Sequence, residues 1–209
     1  MAGAQSRAAA VENAVTDEKS LVQAARGGDV SSFSALVRLY AARAVRVATS
    51  LTGNREDGED LVQEAFVKAY QNLPSFRGTS KFYTWFYRIL ANTCHDHLRR
   101  KKMRGFVAFW QGGERERESV VETVPSAAPD AARLLLDGEL EEKLHTALAE
   151  LPFQQRSVFA LRYLDGLALA EIAESLSLSE GAVKAHLWHA MQKMKKYLGA
   201  YLEKESSHG

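Results

Sequence analysis

Apolar residues recur every three to four positions through most of this chain, the spacing that lays a hydrophobic stripe along an α-helix and leaves the opposite face polar. No stretch alternates apolar and polar residues as a half-buried strand does, so the chain reads as all-α. A short helix is predicted from near Asp17 to Gly27 and Gly28, a pair suited to the positive φ of a helix end. A second begins after Asp29, whose carboxylate can cap open amides, and carries Phe33, Leu36, Val37, Tyr40, Ala44, Val47 and Leu51 down one face. Gly53 and Asn54 break the chain. A third helix follows over about Arg55 to Asn72, with Val62, Ala65, Phe66, Ala69 and Leu73 inward, and a fourth over about Lys81 to Lys102, with Phe82, Phe86, Ile89, Leu90 and His97 on one side.

The periodicity lapses between Met103 and Asp137, where Gly112, Gly113, alternating Glu and Arg, Pro125, Ser126 and Pro129 take over. A flexible linker over 104–137 is expected, with an r.m.s. span of ~30 Å. Apolar spacing resumes at Leu140, Leu144, Leu148 and Leu151, is punctuated by Pro152, and continues through Val158, Leu161 and Tyr163 to a turn at Asp165 and Gly166. Two more helices are expected, Leu169 to Leu176 and Ser179 to about Tyr201. The fold class is therefore all-α: a disordered tail over 1–16, then two small helical domains, 17–103 and 138–203, each with its own core and joined by the flexible linker.

Composition narrows the function. The 209 residues carry a formal net charge of +1, so any nucleic-acid site must be a local patch. The single cysteine, Cys94, excludes an internal disulfide and the usual multi-cysteine zinc sites, and suits a reducing, cytoplasmic compartment. No apolar run approaches the ~20 residues of a membrane span, so direct membrane insertion is not expected.

Three constellations carry candidate chemistry. Leu169 to Leu187 matches a helix-turn-helix, with Ile172 and Ala173 inward, Leu176 and Leu178 bracketing the turn, and Val183 and Leu187 anchoring the second helix. Ser179 is placed to cap that helix, whose early positions Lys184, Ala185, His186, Trp188 and His189 can reach a major groove, with Lys193, Lys195 and Lys196 behind for phosphates. A plain helical hairpin with a solvated face is the alternative. The stretch Phe76 to Tyr87 is half aromatic against a chain average of 9%. Helical geometry accounts for Phe82, Phe86 and Trp85 as core but leaves Phe76, Tyr83 and Tyr87 over. Aromatic faces beside Arg77, Lys81 and Arg88 are what stacks unpaired bases and holds their phosphates, and the basic run Arg99, Arg100, Lys101, Lys102 and Arg104 favours nucleic acid over a core with a tyrosine rim. The third helix opens with Glu56, Asp57, Glu59 and Asp60, followed by Gln63 and Glu64. It either serves its own dipole or meets a basic protein partner.

Catalytic chemistry is poorly served. Cys94 and His97 share a helix face, but no second ligand cluster completes a metal site, and no phosphate loop or nucleophile elbow is present, so neither an enzyme nor a cofactor is expected.

The order of these parts resembles the extracytoplasmic-function (ECF) subfamily of RNA polymerase sigma factors. EDLVQEAFVKAY, residues 59–70, is similar to the region 2.2 helix that docks on the clamp helices of the polymerase β′ subunit. The resemblance implies that Asp60, Gln63 and Glu64 carry that docking. FRGTSKFYTWFYR followed by ILANT, residues 76–93, is similar to regions 2.3 and 2.4, and implies that Phe76, Lys81, Phe82, Tyr83, Trp85 and Asn92 surround a flipped-out base of the minus-10 element. Arg77, Arg88, Arg99 and Arg100 are expected along the same DNA. The stretch 151–187 is similar to region 4. It implies that Lys184, Ala185, His186, Trp188 and His189 read the minus-35 element while the domain touches the β flap. The likeness covers roughly Glu18 to Tyr201, without counterparts of the further N-terminal and middle domains of housekeeping sigma factors. Two departures stand out. Ser177 holds a turn position that relatives often give to glycine, and Lys184, His186 and His189 stand where they often have arginine.

The resemblance implies core RNA polymerase and promoter DNA as partners, together with an anti-sigma factor, often membrane-bound. The linker's reach accommodates the ~58 Å of a 17-base-pair spacer. Two other readings predict different behaviour. A conventional helix-turn-helix regulator binds an operator without polymerase, and a thiol or metal enzyme loses function when Cys94 is replaced.

Overall fold

The computed structural model describes residues 18–110, 144 and 146–206, with side chains placed for 18–104, 144 and 146–197. The tail expected over 1–16 and the linker residues 111–137 lie outside these. Helix α1, residues 18–26, stops at Gly27, and Gly28 adopts the positive φ of 96° expected of a helix end. Asp29 then caps α2, Val30–Thr52, accepting hydrogen bonds from the amides of Ser31 and Ser32. Gly53 closes α2 at φ 73°, and Asn54 Oδ1 accepts the Asp57 amide at 2.8 Å to open α3, Arg55–Asn72. Phe33, Leu36, Tyr40, Ala44, Val47 and Leu51 of α2 are buried against Val62, Ala65, Phe66 and Ala69 of α3. The two helices approach closely at Gly58, where a Cβ would lie 2.8 Å from Thr49 Oγ1 and 2.9 Å from the Thr49 amide nitrogen.

A 3₁₀ turn, Leu73–Ser75, leads through a loop into α4, Phe82–Trp110. This helix runs beyond Lys102 into residues expected to be linker. One glycine, Gly105, costs only ~1 kcal/mol in a helix interior, and no proline intervenes.

The second unit begins with helical residues 146–149 (α5), followed by α6, Phe153–Phe159, and a π-helical segment, Ala160–Leu164. The Asp165 amide donates to Ala160 O at 3.2 Å, five residues back, before Gly166 turns the chain at φ 77°. Next come α7, Leu169–Leu176, and α8, Glu180–Ser206. Between them Ser177 is left-handed at φ 55°, the one non-glycine residue with positive φ among the described residues. Ser179 Oγ accepts the Ala182 amide at 3.1 Å, giving α8 the expected cap. Ile172, Ala173 and Val183 are buried and Leu176, Leu178 and Leu187 half-buried, as a helix-turn-helix requires.

The second unit has a small core of its own in Ala147, Leu148, Leu151, Phe159, Ala190 and Met194. Its other buried residues, Val158, Leu161, Leu167, Ile172 and Val183 among them, continue into the core of the first. The expectation of two self-contained cores is corrected accordingly: among the described residues the two units are docked. Arg43 Nε of α2 donates to Asp165 Oδ1 at 2.6 Å, and Arg156 Nη1 of α6 to Leu51 O at 2.7 Å.

Candidate nucleic-acid interface

The start of α4 is set by a residue far away in sequence. Glu18 of α1 accepts the Phe82 amide at 3.2 Å and the Tyr40 hydroxyl, so one carboxylate supplies α4's missing cap and ties it to α2. Local reading had no means of finding it, because the partners lie 64 and 22 residues apart. Gly78, at φ 70°, bends the loop that precedes this helix.

From that start the aromatic residues divide into two sets. Phe76 and Phe82 retain 5% and 1% exposure and pack edge to face at 6.4 Å, and Phe82 stacks with Phe86, which stacks in turn on Phe66 at 4.3 Å. Phe76 and Phe82, expected to line a base pocket, thus pack into the core, where they fix the loop and the first turn. Tyr87, which periodicity assigned to another face, is buried as well. It faces the docked second unit, where burial first, and then the charge of Asp165, pushes its phenol well above the ordinary tyrosine value. No hydrogen bond of good geometry joins the two.

What remains at the surface is a narrower set. Lys81, Arg88, Asn92 and Arg99 are exposed and follow at seven-, four- and seven-residue steps, one face of α4 and its approach. Tyr83 and Trp85 are half-buried at its rim, Lys81 Nζ lies 5.5 Å from the centre of the Tyr83 ring, and Arg77 is exposed on the preceding loop. Arg100 is exposed too, its Nε donating to Asp96 O at 3.2 Å, while Arg99 pairs with the Asp96 carboxylate at 3.4 Å. Lys101 turns away to the acidic helix, where its Nζ meets Asp57 Oδ2 at 2.9 Å, with His97 Nε2 at 3.5 Å from the same oxygen. Burial raises the Asp57 carboxyl, but Lys101 and His97 outweigh it and leave it below its ordinary range. Asp57 of α3 is thus joined to α4 through both Lys101 and His97.

On α8, Lys184, Ala185, Trp188 and His189 are exposed and His186 half-buried, all within the first turns after the Ser179 cap. Trp188 is 60% exposed, its ring edge-on to His189 at 4.9 Å. On α3, Asp60 and Gln63 are exposed, and Glu64 is paired with Lys68 at 2.7 Å.

Cys94 is fully buried in the core, and burial pushes its thiol up to about 12. Among the described residues no group of three or more His, Cys, Asp or Glu side chains is placed to hold a metal ion, and no helix is long and apolar enough to cross a membrane.

Residues 36–104 match the Sigma-70 region 2 family and residues 141–194 match Sigma-70, region 4. The chain is 32% identical over 184 residues to the ECF RNA polymerase sigma factor SigW of Bacillus subtilis, spanning 86% of this chain and 96% of that one. It is 34% identical over 173 residues to the ECF RNA polymerase sigma-E factor of Escherichia coli, spanning 82% and 89%. Among solved structures, CnrH in complex with the cytosolic domain of CnrY superposes at a TM-score of 0.63 and 24% identity, covering 88% of this chain and 98% of CnrH. The sigma factor RpoE from Bartonella quintana, in complex with the anti-sigma factor NepR, gives the same TM-score at 22% identity, covering 81% and 98%. At those identities the two superpositions speak for the fold.

Proposed function

Since the chain belongs to the ECF family of RNA polymerase sigma factors, which direct promoter-specific transcription initiation, we propose a division of that task between its two units. The exposed face of α4 holds the melted minus-10 strand: Tyr83 and Trp85 stack a displaced base, Asn92 reads its edge, and Lys81, Arg77, Arg88, Arg99 and Arg100 hold the phosphates. Phe76 and Phe82 act from behind, keeping the loop and first turn of α4 rigid. The start of α8 enters the major groove of the minus-35 element with Lys184, Ala185, His186, Trp188 and His189. Asp60, Gln63 and Glu64 meet the β′ clamp helices, and the second unit meets the β flap. The protein works as an initiation factor in the cytoplasm, not as an enzyme.

The observation that carries this reading is the single face of α4 on which Lys81, Arg88 and Asn92 stand exposed beside half-buried Tyr83 and Trp85. The two superposed relatives were solved with CnrY and with NepR, and this chain is proposed to have an anti-sigma partner of its own.

Run-off transcription from a promoter library with core polymerase, with and without the protein, together with a gel shift of the protein alone, tests the division. Core-dependent initiation is expected, abolished by Trp85→Ala with Arg88→Ala and altered in minus-35 preference by Lys184→Ala, His186→Ala or His189→Ala. Strong binding to a two-fold operator without polymerase, and no initiation, would instead identify a conventional regulator.

A further inference from the structure

Along α4 the grip on the rest of the protein changes character after Leu90. Phe82, Phe86, Tyr87 and Leu90 are large, fully buried side chains that wedge the first half of the helix in place. From residue 91 to residue 97 the buried residues are Ala91, Thr93 and Cys94, all small. Side chains of that size give a helix no large knob to fix its roll against a neighbour. Asn92 stands in this stretch. It is exposed, and no described residue hydrogen-bonds to its amide, so where it points follows from the roll of the helix that carries it.

A polar link supplies what packing lacks. Lys68 Nζ of α3 donates to Thr93 Oγ1 at 3.1 Å, and the same nitrogen meets Glu64 Oε1 at 2.7 Å. Among the described residues this is the one side-chain hydrogen bond that joins residues 91–96 to another helix. Thr93 is only 1% exposed, which keeps water from competing for its hydroxyl, and Glu64, one turn back on α3, steadies the ammonium. The next tie between the two helices comes at Asp57, which meets His97 and Lys101. A helix with its side chains is ~10–12 Å across, so a roll of ~10° carries a side-chain tip ~1 Å sideways. The usable range of an N–H···O distance is ~0.5 Å, and such a displacement spoils a contact with a base edge.

We propose that Lys68 is a positioning residue for minus-10 reading: by holding Thr93 it fixes the roll of α4, and with it the angle at which Asn92 meets a base edge. This rests on Asn92 reading that edge, as assigned above. Lys68 acts from behind the helix and touches no DNA. Its loss blurs one base preference and spares the contacts of Lys81 and Arg88, which precede Leu90 and are fixed by the large core side chains.

The test is run-off transcription with the full chain and core polymerase on a library that varies each minus-10 position. Asn92→Ala first identifies the position that Asn92 reads. Thr93→Val keeps the shape and removes the acceptor, and Lys68→Met keeps the stem and removes the ammonium. Each should weaken the preference at that position at least threefold, leave the other positions as in wild type, and add nothing in an Asn92→Ala background. Thr93→Ser, which retains the hydroxyl, should keep the wild-type preference. Thr93→Val decides the matter should Lys68→Met fold poorly, because it leaves Lys68 and Glu64 in place, and it should compete for core polymerase as well as wild type does. An unchanged preference in Thr93→Val overturns the proposal, and so does a loss spread evenly over all positions in step with the melting temperature. If Asn92→Ala shifts one preference while Thr93→Val does not, only the role of Lys68 fails, whereas an Asn92→Ala variant that reads every position as wild type does removes the assignment beneath it.

Discussion

Replacing Gly58 by alanine sets two effects of known size against each other. In a helix interior alanine is favoured over glycine by ~1 kcal/mol, so propensity alone forecasts a more stable protein. The new methyl, however, would lie 2.8 Å from Thr49 Oγ1, 2.9 Å from Thr49 N and 3.1 Å from Thr49 Cα, and two of those three neighbours are backbone. Rotating the threonine side chain relieves only the first. Forced overpacking of this kind costs ~1–3 kcal/mol, and contact with a neighbouring helix's main chain puts it at the upper end. The expected net loss is ~2 kcal/mol, or ~4–8 °C in melting temperature for a chain of this size. Circular-dichroism melting of wild type, Gly58→Ala and Gly58→Ala in a Thr49→Ala background measures it. The double variant should recover only part of the loss, because the amide and Cα stay in place. A melting temperature that rises with Gly58→Ala would refute the argument that α2 and α3 are held at backbone contact, and with it the rigid presentation of Asp60 and Gln63.

Further outcomes are open to direct measurement. Arg156 donates to Leu51 O at 2.7 Å, Ala149 O at 2.7 Å and Leu151 O at 3.0 Å, so Arg156→Lys, a point charge without the planar fork, should lose ~1.5–3 kcal/mol in urea unfolding. With its thiol pushed up to about 12, Cys94 holds only ~10⁻⁴ of its population as thiolate at pH 8, and should resist a disulfide reagent in the folded protein yet react at once in denaturant. Burial raises the Glu171 carboxyl, but hydrogen bonds from Lys81 and Tyr83 outweigh it and leave it below 4.5. Its contribution to stability is complete above that pH and is lost as pH falls through the lowered value. Lys81, raised above 10.5 chiefly by Glu171, contributes fully below that pH and loses its contribution only as pH rises through the raised value. The difference in melting temperature between wild type and Glu171→Gln should therefore stay flat between roughly pH 5 and 10 and shrink outside that window.

Much of this architecture could be read locally. Asp29, Asn54 and Ser179 cap the helices they precede because a cap needs only a short side chain and amides two or three residues on. The outward positions of α8 follow in the same way from a 3.6-residue turn counted from Ser179. The aromatic stretch could not be divided correctly by counting, because periodicity assumes one buried side and α4 has two. Phe82, Phe86 and Leu90 face α2 and α3, whereas Tyr87 faces Asp165. That second side is made by contacts such as Arg43 with Asp165, across 122 residues, which leave no local signature.

The π-helical segment Ala160–Leu164 bears on how such a docking could arise. A π turn holds one residue more than an α turn and so swings all that follows by about 100°. Here that swing precedes Asp165, the residue clasped by Arg43, while Tyr163 stays exposed. Removing one residue from this segment would restore the ordinary spiral and aim the carboxylate elsewhere, leaving both units intact. In terms of descent by insertion and deletion, the engagement of the two halves of this molecule is within reach of a single codon.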